Sequence, residues 1–279
     1  KPSGEILCQL QLEIFRKQIL CLDKVYLLIL IGIFVLKINL CHILQVLIYL
    51  KDKIALLVFS YYLQNVYGWK HEKNNALRLE PLDEHDHIES LSKEGNQLIL
   101  CGVGGNGRFA HFIEKHRINS IIIEREISSV MVVTDRDEDS ISKIRRRIND
   151  LFENISYRAG EWINNEIKDS FGQPKQIDTY LLIVPMDKKG ALENVIIDAL
   201  RDIPEEKALI EEVIGFIDSL KEEVVPELSR INSANKATVG TFFSVRDPRH
   251  AMRSFATYVS KIDWSKSESL NEMFLPFMD

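Results

Sequence analysis

From residue 76 onward, short apolar runs alternate with stretches whose apolar positions recur every three or four residues. ALRLE (76–80) reads as a strand, and His85 to Lys93, with Ile88 and Leu91 three apart, reads as a helix. NQLILCGV (96–103) is a predicted strand ending in glycines, and RFAHFIEKH (108–116) a helix with Phe109, Phe112 and Ile113 on one face. The β-branched run VMVVTD (130–135) predicts a strand. SISKIRRRINDLF (140–152) predicts an amphipathic helix, with Ile141, Ile144, Ile148 and Leu151 on its apolar stripe. TYLLIVP (179–185) is a further buried strand, and ALENVIIDAL (191–200) a further helix. Strands alternating with helices imply an α/β fold, a parallel sheet flanked by helices. Sites in such sheets lie beyond the carboxyl ends of the strands.

The chain changes character near residue 70. VYLLILIGIFVL (25–36), INLCHILQVLIYL (38–50) and IALLVFSYYL (54–63) are almost wholly apolar. A spanning helix needs about 20 largely apolar residues. The first run is shorter, and joining it to the second places Lys37 near the centre, at a cost of roughly 2.5–3.5 kcal/mol. No small-residue cleavage site follows, so a secretory signal is a poor match. The expected division is an apolar, helical N-terminal segment over 1–70, buried or interfacial, and an α/β domain over 76–279. Membrane contact through 25–63 stays open.

The 279 residues are 46% hydrophobic and 27% charged, with a formal net charge of −6. Residues 1–70 hold eight basic and four acidic residues, giving +4 there and −10 for the remainder. No overall positive field draws in a polyanion, so a nucleic-acid role requires a local basic patch or a metal ion. Cys8, Cys21, Cys41 and Cys101 are scattered and form no CxxC pair. They match neither a zinc site nor a disulfide framework, which points to a reducing cytoplasm.

Acidic residues gather at predicted strand ends: Glu80 after ALRLE, Asp135, Asp137 and Asp139 after VMVVT, and Asp187 and Glu193 after TYLLIVP. Any one alone is an ordinary solvated loop acid. Carboxylates from three strand ends meeting above one sheet would repel one another without a cation. Hard divalent ions take such oxygens, with magnesium accepting a few protein ligands beside water and phosphate.

These residues resemble the Toprim domain of overcoming-lysogenization-defect (OLD-type) nucleases and related stand-alone proteins of phage-defence systems. LEPLDE (79–84) is similar to the family's strand-end glutamate motif, with Pro81 in the glycine position and Glu84 where aspartate is usual. VVTDRDED (132–139) resembles its strand plus DxD. PMDKKGALE (185–193) resembles its proline–acid, glycine, Leu-Glu signature. NKATVGTFFS (235–244) resembles its late lysine motif, and FLPFM (274–278) its closing segment. The resemblance spans roughly 76–279. It implies a Toprim-like parallel sheet and a magnesium- or manganese-dependent nuclease acting on DNA or RNA. Glu80 would be a metal ligand or general base, Glu84, Asp135 and Asp137 metal ligands, and Asp139 a peripheral one. Glu193 would complete the metal shell, and Lys236 would stabilise developing phosphate charge. An ATPase partner is implied in the same way, and homo-oligomerisation is left open. The basic run Arg145–Arg147 could steer phosphates or simply form a solvated helix face.

Two other classes compete. GVGGNG (102–107) satisfies G-x-G-x-x-G after a strand and before a helix, and Glu124 ends SIIIE about 20 residues on. With the apolar N-terminus this suggests a Rossmann-type regulatory subunit of a membrane transport system. The five residues Arg125–Ser129 are too few for the crossover helix such a unit needs before VMVVTD. The remaining class is a non-catalytic scaffold with the Toprim fold. His85 and His87, in an acidic loop, read as exposed rather than metal-binding.

Overall fold

The computed structural model describes residues 45–50, 53–221, 224–250 and 259–277. The protein is a mixed α/β fold in which the described residues form a seven-stranded sheet, in the order β2-β3-β4-β1-β5-β7-β6. The strands are β1 (Gln45–Leu50), β2 (Lys70–Glu72), β3 (His87–Lys93), β4 (Asn96–Gly102), β5 (Ile127–Asp135), β6 (Ile163–Lys168) and β7 (Pro174–Val184). The four central strands β4, β1, β5 and β7 are parallel. β2 and β3 on one side and β6 on the other are antiparallel, so the sheet is mixed rather than wholly parallel.

The central strands read as unbroken apolar runs because both faces are covered. One face carries α1 (Lys53–Asn65), α5 (Leu192–Asp202), α6 (Pro204–Leu220), α7 (Ile231–Arg246) and α8 (Glu268–Phe274). There Leu98, Met131 and Leu182 of the sheet pack with Phe59, Ile196, Phe242 and Phe274. The other face carries α2 (Phe109–Lys115), α3 (Ile118–Glu124) and α4 (Ile141–Asn149), where Ile99, Val130 and Leu181 meet Phe112, Ile122 and Ile144. The alternation of the two sets along β4, β5 and β7 is the period-2 pattern of a strand. Among the described residues no helix is long and apolar enough to cross a membrane.

Several sequence expectations change. Residues 45–50, expected to be helical, form β1 at the centre of the sheet, and α1 packs on the same domain. The sheet therefore does not begin at residue 76, and among the described residues 45–50 and 53–65 belong to the same sheet and core as the rest. VYLLILIGIFVL and the rest of residues 1–44 lie outside the described residues. ALRLE is no strand: Asn75 Oδ1 accepts from Leu77 N–H at 3.0 Å, and Arg78 adopts φ 53°. An Asx turn bends the chain there, although Leu77 and Leu79 are still buried. Residues 87–93 form β3 rather than a helix. Glu94 and Gly95, with φ 52° and 81°, make the tight turn that returns the chain as β4. SIIIE belongs to α3 and supplies no second strand for a dinucleotide fingerprint.

Candidate functional site

The acidic loop after β5 is held from three sides. Asp135, buried at the end of β5, accepts the Leu192 N–H at 3.0 Å and so ties the loop to the start of α5. Asp137 adopts φ 48°, a left-handed conformation uncommon outside glycine. Its N–H donates to the Gly190 carbonyl at 2.6 Å, and its own carbonyl accepts from the Gly190 N–H at 3.1 Å. Its Oδ1 accepts from the Asn232 carboxamide at 3.1 Å, a contact reaching across from the first turn of α7. Arg136 between them donates its backbone N–H to the Val184 carbonyl and its Nη1 to the Met186 carbonyl, each at 2.8 Å.

Gly190 is fixed by geometry. Its φ is 144°, and a Cβ there would lie 2.2 Å from Asn194 Oδ1. That oxygen is in use, accepting the Ala191 N–H at 2.9 Å at the head of α5.

The remaining predicted residues divide between this place and others. Glu193 follows Leu192 in the first turn of α5 and is half-buried. Lys236 is exposed on α7, one helical turn beyond Asn232 and so on the same side of that helix. Asp139 accepts from Lys143 at 2.6 Å and from Arg147 at 3.3 Å. The Lys143 hydrogen bond holds its carboxyl below the usual carboxylate range. Arg145 and Arg146 are exposed on α4, while Arg147 is engaged by Asp139. Asp187 is exposed after β7, and Lys189 pairs with Glu138 at 3.1 Å.

Glu80 and Glu84 are exposed on the loop before β3. That loop is organised by Arg108, whose guanidinium binds Asp83, faces buried Asp86 at 3.5 Å and donates to the Val103 carbonyl at 3.2 Å. His116, its ring against Phe112, makes a backbone hydrogen bond at Glu80, and burial lowers its pKa. The glycine-rich turn packs on the same loop: a Cβ on Gly104 would lie 2.8 Å from His85 Cβ. Among the described residues no group of three or more His, Cys, Asp or Glu is placed to hold a metal ion. The expected shell of Glu80, Glu84, Asp135, Asp137, Asp139 and Glu193 therefore does not assemble as one cage. Its first motif, expected at a strand end, lies on the loop that follows the Asx turn, and Asp139 is taken up by the cations of α4.

What does converge is a smaller set of oxygen donors. Asp135 and Asp137 offer carboxylates. The Asn232 carboxamide touches them only through its Nδ2, on Asp137 Oδ1. Such a set suits a hard cation that keeps much of its water. Asn232 and Gly190 were not singled out by the sequence as partners of Asp137. An asparagine 95 positions downstream carries no local signal of that contact.

No curated protein matches the chain. Among solved structures it is similar to the hypothetical protein PH0156 from Pyrococcus horikoshii OT3, at 15% identity and a TM-score of 0.41, covering 82% of this chain and 99% of that one. Residues 56–278 match the DUF3226 family, described as protein of unknown function, and the chain belongs to that family.

Proposed function

We propose that this is a Toprim-like, cation-dependent phosphodiesterase domain, a nuclease acting on DNA or RNA, with its site built on Asp135 and Asp137. The observation that carries the reading is the pairing of these aspartates at the carboxyl end of a central parallel strand, against the head of α5 and the first turn of α7. That is where open α/β sheets place their ligands. Asp135 and Asp137 would hold magnesium or manganese, with Glu193 close behind on α5. When bound, the ion would supply Lewis acidity at a phosphoryl oxygen. Lys236, at the edge of the site, would place its ammonium beside charge that grows on phosphate. Glu80 and Glu84 lie outside the site in this reading. The cytoplasm is the compartment proposed, and an ATPase partner belongs to the same proposal.

The test is incubation of the purified protein with plasmid DNA and with total RNA, with and without manganese. Cleavage that disappears in Asp135→Ala/Asp137→Ala is expected. Equal cleavage by that double variant would refute the assignment. Lys236→Ala should fold and bind manganese normally yet turn over about 100-fold more slowly, corresponding to about 2.7 kcal/mol. A second reading, a scaffold that keeps the fold without catalysis, is favoured by Glu80, the expected general base, which lies exposed on the loop before β3 and not at a strand end. Manganese binding with no cleavage of either nucleic acid would select it.

A further inference from the structure

Two buried polar atoms lie on α7 behind Asp137 with nothing to bind. Asn232 Oδ1 is an acceptor and Asn235 Nδ2 a donor, and each is closed to solvent and lacks a partner. They are three residues apart on one helix, a spacing that puts side chains beside each other. A polar group left buried and unpaired is destabilising. Here an orphaned donor and an orphaned acceptor stand three residues apart on one helix, and pairing them would satisfy both. The acceptor already belongs to the carboxamide whose Nδ2 donates to Asp137 Oδ1.

We infer that Asn235, Asn232 and Asp137 form a relay in the cation-loaded site, with Asn235 Nδ2 donating to Asn232 Oδ1 and Asn232 Nδ2 donating to Asp137 Oδ1. The inference rests on the cation site proposed above and assigns α7 a part in it. Asn232 and Asn235 are positioning residues. The Asp137 backbone is already pinned by Gly190 on one side. The relay would orient the Asp137 carboxylate at the ion. Asn235→Asp is the informative substitution, because it keeps the shape and exchanges the donor for an acceptor that faces another acceptor.

The experiment is a manganese titration by calorimetry on the full chain, with thermal unfolding in chelator as the control for folding. Asn232→Ala should weaken manganese binding about tenfold, corresponding to about 1.4 kcal/mol, with metal-free Tm near wild type. Asn235→Asp should weaken it by a smaller factor. The double variant should be no weaker than Asn232→Ala alone, because the two residues act in series. Asn232→Ser, whose hydroxyl is too short to reach, serves as a second variant should Asn232→Ala not fold. Unchanged manganese affinity in either Asn232 variant overturns the relay alone. Additive losses in the double variant also overturn it, since a merely structural role moves each site independently. Absence of manganese binding by the wild-type protein overturns the underlying site reading, and the relay with it.

Discussion

Replacing Gly190 with alanine should be among the most damaging single-methyl additions in this protein. The added Cβ would sit 2.2 Å from Asn194 Oδ1 and 2.8 Å from its Cγ, at a φ of 144°. Two costs follow. Holding a side-chain-bearing residue in such backbone geometry costs about 1–3 kcal/mol. Relief of the clash requires Asn194 to swing away from the Ala191 N–H, losing a cap at the head of α5 worth about 0.5–2 kcal/mol. Together they predict a loss of about 2–4 kcal/mol, or roughly 5–15 °C in Tm for a domain of this size. Urea denaturation of Gly190→Ala, Asn194→Ala and the double variant separates the terms. Asn194→Ala alone should cost about 1 kcal/mol. The double variant should cost less than the two singles added, because the obstructing amide is gone. A Gly190→Ala protein within about 0.5 kcal/mol of wild type, or strictly additive costs, would refute the reasoning.

Glu80→Ala/Glu84→Ala should leave manganese affinity unchanged by calorimetry, since both acids stand on the Arg108 loop; a marked loss would restore them to the metal shell. Arg246 clasps Glu206, whose side chain is 5% exposed, through two nitrogens. Arg246→Met should cost about 2 kcal/mol in denaturant unfolding, below the 3–5 kcal/mol of a fully buried pair because the arginine is itself partly in water. A stability equal to wild type would mean that water reaches Glu206 without the arginine. Burial alone would raise the Asp202 pKa, but the Ser269 N–H and the hydroxyls of Ser269 and Ser267 outweigh it and hold the carboxyl below its ordinary range. The stability it confers is complete above its unfolded value near 3.9 and is lost as pH falls through the lower folded value. Tm measured from pH 6 to pH 2.5 should therefore show the gap between wild type and Asp202→Ala narrowing below about pH 4, and a constant gap would contradict the assignment.

The parts of the fold that were legible in the sequence are those where one period dominates. β5 and β7 carry long β-branched or apolar runs, and α4 repeats isoleucine at 141, 144 and 148. Legibility failed where a local interaction overrode the pattern. Ile88 and Leu91 fit a helical spacing, but the Glu94–Gly95 turn makes their segment half of a hairpin. The apolar run ending in QVLIYL fits a buried helix as well as a buried strand, and only pairing with β4 and β5 decides it. The site divides in the same manner. Asp135, Asp137 and Glu193 lie where the sequence places them, at or after the end of a recognisable strand. Glu80 was misplaced with its strand, and the Asn232 contact arises from how α7 docks, which no short window records.

The position of β1 has a consequence for how the chain is made. β1 is bonded to residues 97–102 on one side and 127–133 on the other, so the first-synthesised of the described strands is also the middle of the sheet. At about 5–20 residues per second, roughly 4–16 s separate the emergence of QVLIYL from that of its second neighbour. During that interval an uncharged strand stands with its hydrogen-bonding groups open to any other nascent chain. The timing of translation, more than the stability of the finished sheet, would then set the yield of folded protein. Slow codons placed between residues 50 and 127 would lengthen the exposure and favour aggregation.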